Sequence, residues 1–232
     1  MEELSPPIVA ALTGFISGLI VSIPVGPINL TIINEGARRG FKWAALIAAG
    51  ATLMEILYCA LAFTSFAALL QKGYIKAAME VFSFAFLLFL GVKYLMAKAV
   101  PIVDRIEHGI EQRIEQRIEE KFHPTSAFMT GFVRTLANPG VLLAWIIFGA
   151  NFISRGWVDP TLQSKLICLG GVAVGVSLWL FGLSWAISRG HKKFTDKTLL
   201  RMERGSGVGL ILLALAHGVH LAWQLAQKMG KG

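Results

Sequence analysis

Residues 18–40, GLIVSIPVGPINLTIINEGARRG, constrain this chain more than any other stretch. They begin as an apolar helix and are interrupted by Pro24, Gly26 and Pro27. An apolar pattern carrying Asn29 then resumes and ends on Asn34, Glu35, Arg38 and Arg39. Proline removes a backbone donor and clashes with the preceding turn, and glycine loosens what remains. In hydrocarbon the freed carbonyls must be met by protein or water, so such a break persists only beside a cavity or a partner helix. Broken helices at membrane depth are where transporters commonly build a substrate site, and the remaining chain is expected to be a scaffold around this one.

The hydrocarbon setting follows from six long apolar segments, about 8–33, 43–70, 75–97, 126–153, 161–187 and 205–227. A helix needs about 20 apolar residues to cross a core of roughly 30 Å. With 55% hydrophobic and 16% charged residues, the chain is expected to be an all-α integral membrane protein with six transmembrane helices and no separate soluble domain. Its first segment, preceded by Glu2 and Glu3 instead of a basic region, is expected to be retained as a span.

A net charge of +8 could suggest nucleic acid, but its placement points to a lipid bilayer. Sixteen of the 22 basic residues fall in alternate loops, around Arg38–Lys42, Lys93–Arg134 and Arg189–Arg204. The positive-inside rule puts those loops in the cytoplasm and both termini outside a plasma membrane. The basic tail with Lys228 and Lys231 pulls the other way. Cys59 and Cys168 lie inside expected spans with no CxxC pairing, as small buried hydrophobes do.

The sequence also repeats. Phe15-Ile16-Ser17-Gly18 returns 113 residues later as Phe128-Met129-Thr130-Gly131, and at the same offset Gly26-Pro27 falls on Pro139-Gly140. Each copy opens a three-helix unit, 1–100 and 125–232. Three is odd, so the second unit enters the membrane from the opposite side. Two inverted repeats, with the first and fourth helices broken at Gly/Pro motifs near the midplane, are therefore expected. Between them, 101–124 is a charged linker. Ile106, Ile110, Ile114 and Ile118 form a winding stripe there, among acidic and basic residues that can pair locally. A solvated cytoplasmic helix, a homo-oligomer contact and a surface-lying helix all fit it.

Glu55 is the most informative single residue, because a carboxylate at mid-span must face a cavity or a partner. It can receive a cationic substrate group, carry a coupling proton, or simply be hydrogen-bonded within the bundle. Asn29 and Asn138 flank the breaks and can bind substrate or satisfy loose backbone. The half-helices after Pro27 and Pro139 present N–H groups suited to a carboxylate. The candidate substrate-binding set is therefore Gly26, Pro27, Asn29, Glu55, Asn138, Pro139 and Gly140, and it suits a zwitterionic small molecule.

Arg134 can bind an anion or snorkel to the inner surface, while Glu35, Arg38 and Arg39 form either an interface cluster or a gate. His217 and His220 share a helix face and are weak metal candidates, with no third ligand at diagnostic spacing. Gly170, Gly171 and Gly175 suit close helix packing, and several of the six tryptophans stand near span ends, as an interfacial belt requires. No cofactor motif and no GxSxG, HExxH or phosphate-cradling loop is present, so catalysis has little to stand on.

Ser22 to Asn29, followed by Asn34-Glu35-Gly36 and Gly40, resembles the first-helix motif of the LysE/RhtB amino-acid exporters: a Gly-Pro-x-Asn core, then a short helix and a basic loop. Leu136-Ala137-Asn138-Pro139 is similar to the family's second Asn-Pro motif, and Glu55 stands where lysine/arginine-type members carry an acidic residue. Val25 and Ile28 depart from the commoner Pro-Gly-Pro-Asn form, and Gly140 replaces a lysine or other polar residue found in many members. These departures bear on substrate more than on fold.

The resemblance covers nearly the whole chain. It implies efflux of amino acids or related small solutes, driven by the proton or membrane-potential gradient, with the two halves rocking about the breaks. Its wider superfamily includes metal-ion and thiol-electron transporters; the latter's cysteines in the first and fourth helices are absent here. A divalent-metal or other inorganic-ion exporter using Glu55, His217 and His220 is the alternative. A membrane enzyme or partner-binding protein without flux is the reading of another class.

Overall fold

The computed structural model describes residues 5–24, 26–65, 73–96, 126–190 and 196–229, with only the backbone given for 73–80, 220–229 and a few single positions that include His217. The expected linker helix lies outside the described residues, and so do the side chains of His217 and His220.

The described residues outside the breaks and short connections are helical: α1 (Pro6–Ser22), α2 (Pro27–Arg39), α3 (Phe41–Ser65), α4 (Gly73–Leu95), α5 (Ala127–Leu136), α6 (Pro139–Ser154), α7 (Leu162–Gly190) and α8 (Asp196–Met229). Both breaks fall at the expected prolines. Pro27 and Pro139 each open a new helix, where the missing N–H costs nothing and φ is already helical. The axes turn by 71° between α1 and α2 and by 66° between α5 and α6. α2 stops at Gly40, whose φ of +81° is the left-handed conformation in which glycine avoids a steric penalty. Among the described residues Phe41–Thr64 and Leu162–Gly190 are each long and apolar enough to cross a membrane, and each bent pair reaches that length and apolarity when its two helices are taken together. α4 and α8 run through the stretches of the other two expected spans, where among the described residues the apolar helix is Phe84–Leu95 within α4, shorter than a span.

The bent pairs do not stand alone. Each lies along an unbroken helix drawn from the other half of the sequence. Along α7, α1 packs at Cys168–Val176, and α2 packs further on at Trp179 and Ile187. Along α3, α5 packs at Ile47–Gly50, and α6 packs further on at Glu55, Ala62 and Phe63. Numbering rises together on both partners, so each pair is parallel.

Glycine sets the approach. A Cβ at Gly14, Gly171 or Gly175 would strike a backbone carbonyl of the partner helix, at Cys168, Ala11 and Phe15 respectively. Gly50 and Gly131 are in the same position against Phe128 and Ile47. This is the small-residue packing that brings membrane helices into close dispersion contact without a hydrophobic driving force between them. Gly170 was expected to join it and does not: it faces open space, because it sits one position off the contact face.

These contacts recur at fixed offsets. Gly175 meets Phe15 and Leu19, while Gly50 meets Phe128 and Phe132, which stand 113 residues further along than Phe15 and Leu19. Gly18 meets Val172, and Gly131 meets Ile47, again with 113 residues between the two glycines. Where α4 crosses α8, Gly91 meets Ile211 and Gly207 meets Leu95, a reciprocal pair.

Exposed leucines, valines and phenylalanines on the outer faces of α1, α3, α4, α7 and α8 are what a lipid-facing surface requires. Trp43, Trp185 and Trp157 are exposed, each stacked under an arginine (Arg39, Arg189 and Arg155). Trp145 differs: it is fully buried at the centre.

Candidate functional site

At the first break the freed carbonyls are met by Asn29. Its Nδ2 donates to Ser22 O at 2.8 Å and Pro24 O at 2.6 Å, and its Oδ1 accepts from Trp179 Nε1 at 3.2 Å. All three interactions hold the break in place, the last tying it to α7. The N-terminus of α2 has no side-chain cap. Gly26, which precedes it, has an ordinary φ of −95° and open space where a Cβ would be.

The second break is satisfied differently. Asn138 caps α6, its Oδ1 accepting from Gly140 N at 3.0 Å and Val141 N at 3.2 Å. Tyr58 on α3 donates its phenol to Leu136 O at 2.6 Å, which meets the carbonyl at the end of α5. Asn138→Ala is expected to destabilise the protein by about 0.5–2 kcal/mol, the usual worth of an N-cap, while Asn138→Asp retains most of it. Thermal melting of the two variants in detergent checks this.

Glu55 is 3% exposed on α3, and Trp145 on α6, itself 0% exposed, donates its indole N–H to Oε2. Behind Trp145 runs an aromatic series, Phe148, Phe152 and Phe63, with ring centroids 6.3, 5.9 and 6.4 Å apart, that fastens α6 to α3. The carboxylate is therefore buried in protein, as the cost of exposing it to lipid demands.

The Arg134 guanidinium donates to Thr31 Oγ1 on α2, linking the two bent pairs. Thr31 in turn bonds Pro27 O at 2.8 Å. Glu35 pairs with Arg39 at 3.0 Å and Arg38 at 3.8 Å, one turn along its own helix. Such exposed pairs contribute only tenths of a kcal/mol. Among the described residues no cluster of three His, Cys, Asp or Glu could hold a metal ion.

The structure thus brings Glu55 to α6, Asn29 to the first break and Asn138 to the second, and connects Arg134 to α2. Sequence reasoning missed Tyr58, Trp145, Trp179 and Thr31. A tryptophan in mid-span, away from the interfacial belt, was the available signal for Trp145 and Trp179, and the three-residue spacing from Glu55 was the signal for Tyr58.

Comparison with known proteins adds two findings. The family model for LysE type translocators matches residues 19–221, which include both breaks, Glu55 and Arg134. A Bacillus subtilis (strain 168) protein named "Putative amino acid efflux protein YcgF" is 24% identical over 207 residues, covering 89% of this chain and 94% of its own. No solved structure matches significantly.

Proposed function

Because this chain belongs to the family of LysE type translocators, it is a membrane transporter and not an enzyme, and we propose that it exports amino acids or closely related small solutes. Export is driven by the proton gradient or membrane potential, with alternating access around the two breaks. The observation that carries this reading is Glu55, a buried carboxylate bonded to the half-helix that begins at the second break. It would meet a substrate ammonium or carry the coupling proton. The uncapped start of α2 and the bare backbone at Gly26 leave N–H groups and room for a substrate carboxylate.

The inverted repeat is supported by the packing contacts that recur at an offset of 113 and by the reciprocal α4–α8 crossing. On this reading the six spans sit in the plasma membrane with both termini outside. The ends of α2 and α7, where Gly36 meets Ile187, carry Arg39 and Arg189 at the cytoplasmic face, towards anionic headgroups and not nucleic acid.

The test is efflux from proteoliposomes loaded with a panel of radiolabelled amino acids under an imposed pH gradient or potential. Flux of a subset is expected. Flux of divalent cations with none of any amino acid would overturn the reading.

A further inference from the structure

Serines and threonines in a membrane helix always have one partner within reach, the carbonyl four residues back. This chain takes that option repeatedly. Ser22 bonds Gly18 O at 2.8 Å, Thr31 bonds Pro27 O at 2.8 Å, and Thr130 bonds Ser126 O at 3.1 Å. Ser184 bonds Leu180 O at 2.7 Å and Ser188 bonds Ser184 O at 2.6 Å. Among the described residues two buried threonine hydroxyls have no hydrogen-bond partner: Thr52, 7% exposed, and Thr135, 2% exposed. An unmet hydroxyl in a dry interior costs free energy that a methyl of the same shape would not.

Their positions coincide with the candidate site. Thr52 stands three residues before Glu55, and Glu55 three before Tyr58; groups at that spacing are neighbours on one helix face. Tyr58 reaches the carbonyl of Leu136, the residue that follows Thr135. One line of polar groups on α3 therefore runs from Thr52 through Glu55 to the second break.

We infer that Thr52 is a specificity-determining residue of the transport site, its Oγ1 accepting one N–H of a primary ammonium whose charge rests on Glu55. This rests on the reading that Glu55 serves the substrate, and it names the substrate class. A primary ammonium has three donors and no acceptor, so one carboxylate does not satisfy it and a neutral oxygen one turn away does.

Thr52→Val removes the hydroxyl and keeps the shape. The probes are L-lysine, L-leucine and their N-permethylated derivatives, which carry no N–H. Each is assayed by thermal stabilisation of the full-length protein in detergent, where the shift follows ligand concentration over Kd. The ligand-free valine variant is expected to melt no lower than wild type. Its Kd for at least one of the two amino acids is expected to rise by about 10- to 150-fold, the worth of a hydrogen bond to a charged group. Thr52→Ser restores binding, and the permethylated derivatives bind wild type weakly. A response to both amino acids locates the α-ammonium at Thr52, and a response to lysine alone locates a side-chain ammonium there.

Unchanged binding by Thr52→Val, equal binding of the permethylated forms, or no response of wild type to either amino acid would overturn the proposal. If Glu55→Gln abolishes a shift that Thr52→Val leaves intact, this proposal falls and the reading of Glu55 stands; if neither variant alters the shift, both fall. Should the valine variant fail to insert, Thr52→Ala compared with Thr52→Ser makes the same distinction.

Discussion

Glu55→Gln is expected to abolish gradient-driven export while leaving a folded protein in the membrane. Glutamine has the shape of the protonated acid, and its amide oxygen still accepts the Trp145 indole N–H, so α3 and α6 stay joined. What it lacks is the ability to become charged. A neutral amide binds an ammonium without ion pairing, which removes about 1.5–3 kcal/mol and weakens binding roughly 10- to 150-fold.

The two roles open to Glu55 then separate by assay. If it binds substrate, both coupled export and substrate exchange in proteoliposomes fall together. If it carries the proton, exchange at equal pH survives while accumulation against a gradient is lost. Wild-type export by the variant would remove Glu55 from the mechanism altogether.

The largest effect on stability is expected from a single methyl group. Gly171→Ala places a Cβ against the Ala11 carbonyl and 2.9 Å from Phe15 N, atoms that cannot move without moving α1. Overpacking ordinarily costs 1–3 kcal/mol, and the rigidity of a helix backbone puts this case near the upper end, at about 3 kcal/mol. Its neighbour supplies the control. Gly170→Ala meets nothing within 4 Å and gains up to about 1 kcal/mol of helix propensity. Thermal melts of the two purified variants should therefore shift in opposite directions. Equal shifts would mean that the α1–α7 approach is not set by glycine.

The close α1–α7 packing also bears on how such a protein can move. The two halves of the sequence were expected to rock as bodies around the breaks. Yet α1 is pressed onto α7, and α5 onto α3, each across the division between the halves. A motion that separates the sequence halves would have to part these close contacts. Motion that keeps α1 with α7 and α5 with α3 would instead have to work at the Arg134–Thr31 link and at the packing of α3 against α7.

The candidate site was legible only in part. Glu55 stood out because a carboxylate in a run of apolar residues has a cost that can be read from the sequence alone. Trp145 gave a weaker signal: tryptophan serves equally well at an interface or in a core, and only its 0% exposure decides which. Thr52 gave none, since a threonine in a helix usually satisfies itself, and the exception is visible only when every partner has been placed.

By itself the sequence determined the helices, their approximate ends and the two breaks, because proline chemistry, glycine freedom and apolar length act within a few residues of themselves. The tertiary structure decided which unbroken helix supports each bent pair, which of two adjacent glycines bears the contact, and where the polar groups of Asn29, Asn138 and Tyr58 are satisfied. Those depend on atoms more than a hundred residues apart in several cases, and on the requirement that backbone freed in hydrocarbon find a partner somewhere in the protein.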